Sequence, residues 1–358
     1  MAGSSKTLHT SAMGRYDALQ AEALQAVTAR FHARHAACYE QFGAQGLAAC
    51  RDDLAFLAEF LRAVLEFGVA QPMADYLRWL EGQLSERSLE DTSMEDCLDG
   101  LAEFFARHMP GDEGKVIAGA LAEVRQRYLF AERLPQAAPP QPWPECGPFA
   151  EAIVAGSLQE AQTLLQGCLD AGNSLVAVEL HVVQPALYHV GERWRANEIS
   201  VAQEHMATAI TNAAMTAMLV QQPAPARNGK RVLLACVQDN RHAMGLRMVA
   251  DAFQMDGWDV QYLGADVPTA DLVRQVEAWR PDLVGLSLSF PHQLLTAKAV
   301  ISALESAMGA SRPPVIVGGL AFSGLATLGA MIGADAQGAD AQAAVSRGGR
   351  LAAMDGAR

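Results

Sequence analysis

Residues 231–245 read RVLLACVQDNRHAMG. The first seven residues form a short apolar run, which predicts a strand buried on both faces of a sheet. In the turn that follows, His242 stands three residues before Gly245. Turns after the strands of a parallel sheet line its ligand crevice, so the stretch predicts a histidine that reaches into a binding site. The alternative is an ordinary histidine in a surface loop.

The alternation of strand and helix continues along the chain. The runs WDVQYLG, DLVGLSLS and PVIVGG predict three more strands. The segments LRMVADAFQMDG, ADLVRQVEAWR, TAKAVISALESAMGA and AFSGLATLGAMIGA predict helices, the first of them ended by Gly257. Alternating strands and helices predict a Rossmann-like (flavodoxin-like) α/β domain over 229–345, with a parallel sheet and its ligands beyond the carboxyl ends of the strands.

The rest of the chain has a helical apolar period and is divided by proline. Residues 1–134 predict an all-α N-terminal sensor domain, in which Gly68 ends one helix and Pro72 opens the next. Six prolines in 135–148 predict a linker. Residues 149–222 predict a small four-helix bundle. The predicted breaks between its helices are at Gly156, Gly172 and Asn197.

Charge and hydropathy exclude several classes of partner at this stage. The formal net charge is -13, and no Lys or Arg cluster stands out, which argues against binding to DNA or to an anionic membrane surface. No apolar run approaches the roughly 20 residues of a spanning helix, and no signal peptide is recognised. We therefore predict a cytoplasmic protein that neither binds DNA directly nor associates with a membrane.

The α/β half resembles the cobalamin-binding domains of methionine synthase and corrinoid proteins. Their pattern is Asp-x-His-x-x-Gly, then Ser-x-Leu, then Gly-Gly, and the matching residues are His242, Gly245, Ser287, Gly318 and Gly319. The resemblance implies that His242 is the lower axial ligand of cobalt, while the serine and glycines lie along the nucleotide tail of the cofactor. Further contacts with the cofactor are predicted at Asn240, Arg241, Val267, Pro268 and Ser289.

Two of these positions depart from the family pattern. Asn240 stands where the family has Asp, so the expected partner of the His242 imidazole is a neutral amide. An amide raises the basicity of a metal-bound imidazole less than a carboxylate does, so we expect weaker or more reversible ligation. Ser289 stands where the family has Leu, which alters the expected fit of the nucleotide tail.

The upstream helices carry a second motif. In ERWRANEISVAQEH, Trp194 is followed after nine residues by Glu204 and His205, which resembles the Trp-x9-Glu-His signature of light-sensing adenosylcobalamin proteins of the CarH type. The resemblance implies that these three side chains line the upper face around the adenosyl group. The alternative is a core tryptophan and a helix with a surface acid. Arg195 replaces the histidine that captures cobalt after light in this family, which leaves His189, His205 or water for that position.

The N-terminal helices, combined with this cobalamin module, resemble photocobilins, which hold biliverdin close to cobalamin. CarH-type repressors begin with a DNA-binding helix-turn-helix, and no basic recognition helix is recognised here. A bilin needs cations for its propionates and aromatic walls for its rings. The candidate residues are Arg51, Arg62, Arg78, Tyr76, Trp79 and His108, with noncovalent attachment expected.

Three hypotheses about function follow. The first is a light sensor that is not an enzyme, in which photolysis of adenosylcobalamin changes assembly or partner binding. Its expected partners are further copies of the chain and an unidentified protein. The second is a corrinoid methyl carrier that serves a methyltransferase. The third is a light-independent, cobalamin-binding antirepressor.

Overall fold

The computed structural model describes residues 7–34, 55, 57–86, 94–130, 140–322 and 327–355, apart from the side chains of residues 79, 83–86 and 354–355. The chain divides into two compact units, 1–134 and 135–358. Within the described ranges, no helix is both long enough and apolar enough to cross a membrane. The predicted domain boundaries themselves stay predictions.

The first unit is all-α around one apolar core. Its helices are α1 (Thr10–Arg34), α2 (57–67), α3 (Gln71–Glu86), α4 (Met94–His108) and α5 (Gly111–Phe130). Tyr16 is fully buried, stacks on Phe105 at 4.9 Å between ring centroids, and donates a hydrogen bond to the Ala58 carbonyl at 2.9 Å. As predicted, α2 ends before Gly68, whose φ is +69°, and Pro72 is the second residue of α3.

The second unit begins with a helical subdomain over 146–221. Its helices are α6 (Cys146–Val154), α7 (Leu158–Asp170), α8 (Leu175–Val178), α9 (Gln184–Arg195) and α10 (Val201–Gln221). A π-helical turn, Glu179–Val183, joins α8 to α9. The three predicted breaks coincide with the positive φ values of Gly156 (+86°), Gly172 (+91°) and Asn197 (+55°). The finer description as a four-helix bundle stays a prediction.

The α/β subdomain covers 231–355 and contains the predicted parallel sheet. Its strands are β1 (Arg231–Val237), β2 (Asp259–Val267), β3 (Leu283–Ser287), β4 (Val315–Gly318) and β5 (Ala336–Gly338), in the order β2-β1-β3-β4-β5. The helices are α11 (Met244–Met255), α12 (Thr269–Trp279), α13 (Gln293–Met308), α14 (Leu328–Met331) and α15 (Ala341–Asp355), with 3₁₀ turns at Gly309–Ser311 and Leu320–Phe322. This strand order is that of flavodoxin-like sheets.

Two details of this subdomain differ from the sequence-based expectation. The segment 321–334, predicted as one helix, contains the end of a 3₁₀ turn and the four-residue helix α14 in its described parts. The fifth strand was not predicted, because AQG has three residues and shows no apolar alternation. It forms only because β4 offers it a parallel partner, with Val317 opposite Gln337.

Helix α11 connects the two subdomains. Met248 packs into the apolar core of the helical subdomain, although it belongs to the helix that follows β1. A second contact joins Leu180 of the π-helical turn to Ala252 of α11 and Ala341 of α15. We refer to the surfaces around these residues as the subdomain interface.

Gly319 provides a direct test of the edge geometry. Its φ is +104°, and a Cβ placed on it would lie 2.2 Å from the Leu288 carbonyl oxygen. We therefore expect Gly319→Ala to lower the free energy of unfolding by about 1–3 kcal/mol, through backbone strain and that clash. Gly245→Ala is the control, since a Cβ there meets nothing within 4 Å. Calorimetric unfolding of the cofactor-free chain measures both, and equal stability of the two variants would contradict the assigned geometry.

Candidate functional site

The predicted site residues of the α/β subdomain collect at one edge of the sheet. All five strands are parallel, so their carboxyl ends lie side by side. The turn after β1 contributes Asn240, Arg241 and His242, and Gly245 follows in the first turn of α11. The end of β2 contributes Val267 and Pro268, the end of β3 contributes Ser287 and Ser289, and the end of β4 contributes Gly318 and Gly319.

Asn240 holds the turn after β1 against the end of β3. It is fully buried, and its Nδ2 donates a hydrogen bond to the Ser287 carbonyl at 2.8 Å. Its Oδ1 accepts a hydrogen bond from the backbone N–H of His242 at 3.2 Å. Both bonds go to backbone groups, so the amide determines the path of the turn rather than the basicity of the imidazole.

A second buried amide, which the sequence did not single out, joins the same two loops. Oε1 of Gln293 accepts hydrogen bonds from the backbone N–H groups of Ser289 and Phe290 at 2.9 and 3.1 Å. Its Nε2 donates to the Asp239 carbonyl at 3.1 Å. A glutamine in the first turn of an amphipathic helix reads as a surface residue, and only the fold reveals that it is buried.

The imidazole of His242 lies at the rim of this edge. The ring of Phe290 packs edge-on against it, with centroids 5.3 Å apart. Desolvation by the surrounding protein lowers the pKa of His242, and the carboxylate of Glu204 raises it by a smaller amount. A lowered pKa favours the neutral imidazole, whose unprotonated nitrogen can bind a metal. The electrostatic effect of Glu204, a residue of the helical subdomain, thus reaches the predicted cobalt ligand.

The Trp-Glu-His motif surrounds the turn between α9 and α10. Trp194 is in the last turn of α9 and leaves 41% of its surface exposed. Oε2 of Glu204 lies 2.5 Å from Nδ1 of His205, and Oε1 accepts a hydrogen bond from the Thr208 hydroxyl at 3.1 Å. Ser200 and Gln203 form a capping box that starts α10. The motif thus combines an exposed indole at the end of α9 with a hydrogen-bonded carboxylate at the start of α10.

The two residues considered for the upper position after light differ in placement. His205 is adjacent to Glu204 and highly exposed. His189 is exposed on α9, five residues before Trp194. At 3.6 residues per turn, five residues correspond to a rotation of roughly 140° about the helix axis, so His189 and Trp194 lie on different sides of α9. This placement favours His205 over His189.

The edge has the properties that a large flat metal macrocycle requires. Phe290 and Leu320 are large apolar side chains exposed just after β3 and β4, and a macrocycle would remove such surfaces from water. Gly245 has open space beside it, because a Cβ placed there would meet no atom within 4 Å. Its φ does not require glycine either. The imidazole of His242 is the nitrogen donor predicted for this edge.

The bilin candidates of the first unit make contacts within the protein. Arg62 pairs with Asp17 and Glu66, and Arg78 pairs with Asp75 and donates to the Tyr128 carbonyl. Tyr76 stacks on Phe60, and His108 stacks on Phe104 and bonds to its carbonyl. Arg51 and the Trp79 side chain lie outside the described residues. Binding a propionate at these arginines would mean replacing existing ion pairs.

Asn240→Asp tests the role of the buried amide. An aspartate cannot donate to the Ser287 carbonyl, and its carboxylate would face that oxygen in a buried position, so we expect a loss of about 1–3 kcal/mol of unfolding free energy. Asn228→Asp is the matched control, because Asn228 also donates to a carbonyl, that of Asp256, but is exposed to water. Calorimetry of the cofactor-free variants checks this, and a loss no larger in the first variant than in the second would refute it.

Comparison with known protein families gives two matches in the second unit. Two family models, both described as a B12 binding domain, match residues 147–218 and 230–346. The HTH-type transcriptional repressor CarH of Myxococcus xanthus is 32% identical over 216 residues, which are 59% of this chain and 71% of that protein. The repressor CarA of the same organism is 32% identical over 215 residues, or 58% of this chain and 67% of CarA.

Corrinoid proteins are also similar to this chain. The dimethylamine corrinoid protein of Methanosarcina barkeri is 25% identical over 132 residues, which are 36% of this chain and 62% of that protein. Among solved structures, the monomethylamine corrinoid protein of M. barkeri aligns over 56% of this chain and 94% of its own length, with 21% identity and a TM-score of 0.47.

The comparisons correct one prediction. The acidic net charge favours the absence of direct DNA binding, but the two relatives with 32% identity are both HTH-type transcriptional repressors. Net charge is a property of the whole chain and does not exclude a local surface that binds DNA. The prediction of no direct DNA binding is therefore wrong as an inference from charge.

Proposed function

Because this chain belongs to the CarH-like family of cobalamin-binding proteins, we propose that it is a light sensor that uses adenosylcobalamin. The observation that supports this most is that His242, Ser287 and Gly319 lie together at the carboxyl ends of the parallel strands, within one matched B12 binding domain. A donor for the lower face of a corrin and residues for its nucleotide tail are then available at one edge.

Each side chain has a role that its chemistry supports. His242 offers a neutral nitrogen to cobalt from the turn after β1. Trp194 offers a flat apolar face to the adenosyl group, and Glu204 offers acceptor oxygens to the ribose hydroxyls. Adenosylcobalamin itself supplies a light-sensitive cobalt–carbon bond. Asn240 and Gln293 hold the two loops in place, so the imidazole keeps its position before and after light.

The helical subdomain is the element that we expect to respond. Trp194 is exposed at the end of α9, and loss of a ligand group against it changes which surface the indole covers. Helix α9 continues directly from the π-helical turn at the subdomain interface, so a shift of α9 reaches that interface. The proposed output is a change in assembly or in partner contacts.

His242→Ala tests the cobalt ligand. We expect the variant to retain some cobalamin through the other contacts but to lose the absorbance spectrum of imidazole-ligated cobalt, because alanine has no donor nitrogen. His9→Ala, at an exposed histidine of the first unit, is the control and should keep the wild-type spectrum. Identical spectra for wild type and His242→Ala would remove the assignment.

Light sensing is tested by loading the chain with adenosylcobalamin in the dark and measuring absorbance and size-exclusion mass before and after green light. We expect both to change. Trp194→Ala should reduce the preference for adenosylcobalamin over hydroxocobalamin by about tenfold, since the indole contact is lost. Unchanged absorbance and mass in the wild type would refute the sensor and favour a light-independent cobalamin-binding antirepressor.

A corrinoid methyl carrier is the second candidate, supported by the similarity to the dimethylamine corrinoid protein. It predicts transfer of a methyl group from bound methylcobalamin to a thiol acceptor, which the sensor does not. The contacts of Arg62 and Arg78 do not favour biliverdin, because both arginines already pair with carboxylates of the first unit.

A further inference from the structure

Two carboxyl groups are buried together at the subdomain interface, away from the sheet edge. Glu179 is in the π-helical turn and is 1% exposed, and Asp251 is on α11 and is 2% exposed. The residues that follow them, Leu180 and Ala252, pack in one apolar cluster, and the two carboxyl groups interact with each other. Within the described residues, neither oxygen of Glu179 nor Oδ2 of Asp251 accepts a hydrogen bond from any donor.

The charges around the pair do not balance if both groups are ionised. Nε of Arg247 donates to Oδ1 of Asp251 at 2.8 Å, so one guanidinium faces two carboxylates. An uncompensated buried charge is costly, and two adjacent carboxylates relieve that cost by sharing a proton. A protonated Glu179 would donate to Asp251 Oδ2 and leave the cluster neutral.

We propose that Glu179 and Asp251 form a proton-binding site that joins the helical subdomain to the α/β subdomain. The proton converts two opposed acceptors into a donor and an acceptor, and so creates a hydrogen bond across the interface. Its position matters for the rest of the fold. Glu179 precedes α9, which ends at Trp194, and Asp251 is on α11, which begins just after His242. π-Helical turns of this kind occur often at functional sites.

Arg247 and Tyr262 are titratable groups that interact with the pair. Burial raises the pKa of Glu179 well above its usual range, with a further rise from Asp251 and a smaller opposing effect of Arg247. Burial also raises the pKa of Asp251, but Arg247 opposes the rise, so Asp251 is the partner that stays ionised. Tyr262 also faces the cluster, and its pKa of about 12 keeps it neutral. Leu180, Ala252 and Ala341 provide apolar surroundings.

The sign of the pH effect follows from proton linkage. Opening the interface returns Glu179 to water, where its pKa falls towards about 4.3. Between that value and the raised pKa of the closed state, the closed interface holds one proton more than the open one. Raising the pH in this window therefore favours opening, by at most about tenfold in the opening equilibrium per pH unit.

Infrared spectroscopy of the full chain without cobalamin tests for the proton directly. A neutral carboxylic acid band should be present above pH about 4.3 in the wild type and absent from Glu179→Gln. Glu192→Gln is the matched control, because Glu192 is an exposed glutamate of the same subdomain, and it should keep the band. A wild-type spectrum with no band that Glu179→Gln removes would overturn the proposal.

Asp251→Asn provides a second variant if Glu179→Gln folds poorly. It removes the neighbouring negative charge, so the band should disappear at a lower pH than in the wild type. An unchanged titration midpoint would show that the two groups share no proton.

Hydrogen exchange tests the link to the interface. After correction for the intrinsic pH dependence of exchange, peptides covering 175–183 and 244–255 should lose protection as the pH rises in the wild type. In Glu179→Gln they should not, because the amide donates without a titratable proton. The same pH dependence in both proteins would refute the link. Since cobalamin is absent from every measurement, the outcome is independent of the proposed light sensing.

Discussion

The hydrogen bond from the Asn240 amide to the Ser287 carbonyl is the constraint on which the candidate site depends. It joins the turn after β1 to the end of β3, which are neighbouring strands at the centre of the sheet. Helices leave these strands in opposite directions along the sheet, which creates the crevice where ligands bind in such folds. A neutral amide can hold this junction because it both donates and accepts, whereas an ionised carboxylate only accepts. Asn240 is therefore suited to a purely structural task at this position.

The electrostatic environment of His242 therefore comes mainly from residues outside its own loop. Desolvation favours the neutral ring, and the carboxylate that raises its pKa is Glu204 from the helical subdomain rather than a residue of its own loop. The helical subdomain therefore contributes to the electrostatic environment of the imidazole through Glu204. Helix α11 also connects the two subdomains, since it begins just after His242 and carries Arg247 and Asp251 at the subdomain interface. A structural change at His242 and one at the subdomain interface would therefore both act on α11.

Local chemistry explains which parts of the fold could be predicted. Gly156 and Gly172 end helices because they adopt positive φ, and β1 is recognisable as an uninterrupted apolar run. The short strand β5 and the π-helical turn could not be predicted, because tertiary partners create them. The candidate residues of the α/β subdomain were predictable as a group, since parallel strands bring their ends together. The contacts of Gln293 and Glu179 were not, because burial of a polar side chain depends on elements distant in sequence.

The glycines of the motif show why a family pattern needs a structure before it is interpreted. Gly319 matches the pattern, but its positive φ and the nearby Leu288 carbonyl already require glycine whether or not a ligand is bound. Gly245 matches too, and here the protein itself imposes no such requirement. Packing alone therefore explains Gly319 but not Gly245. The open space at Gly245, three residues after His242, leaves room for a bulky group beside the imidazole that packs against Phe290.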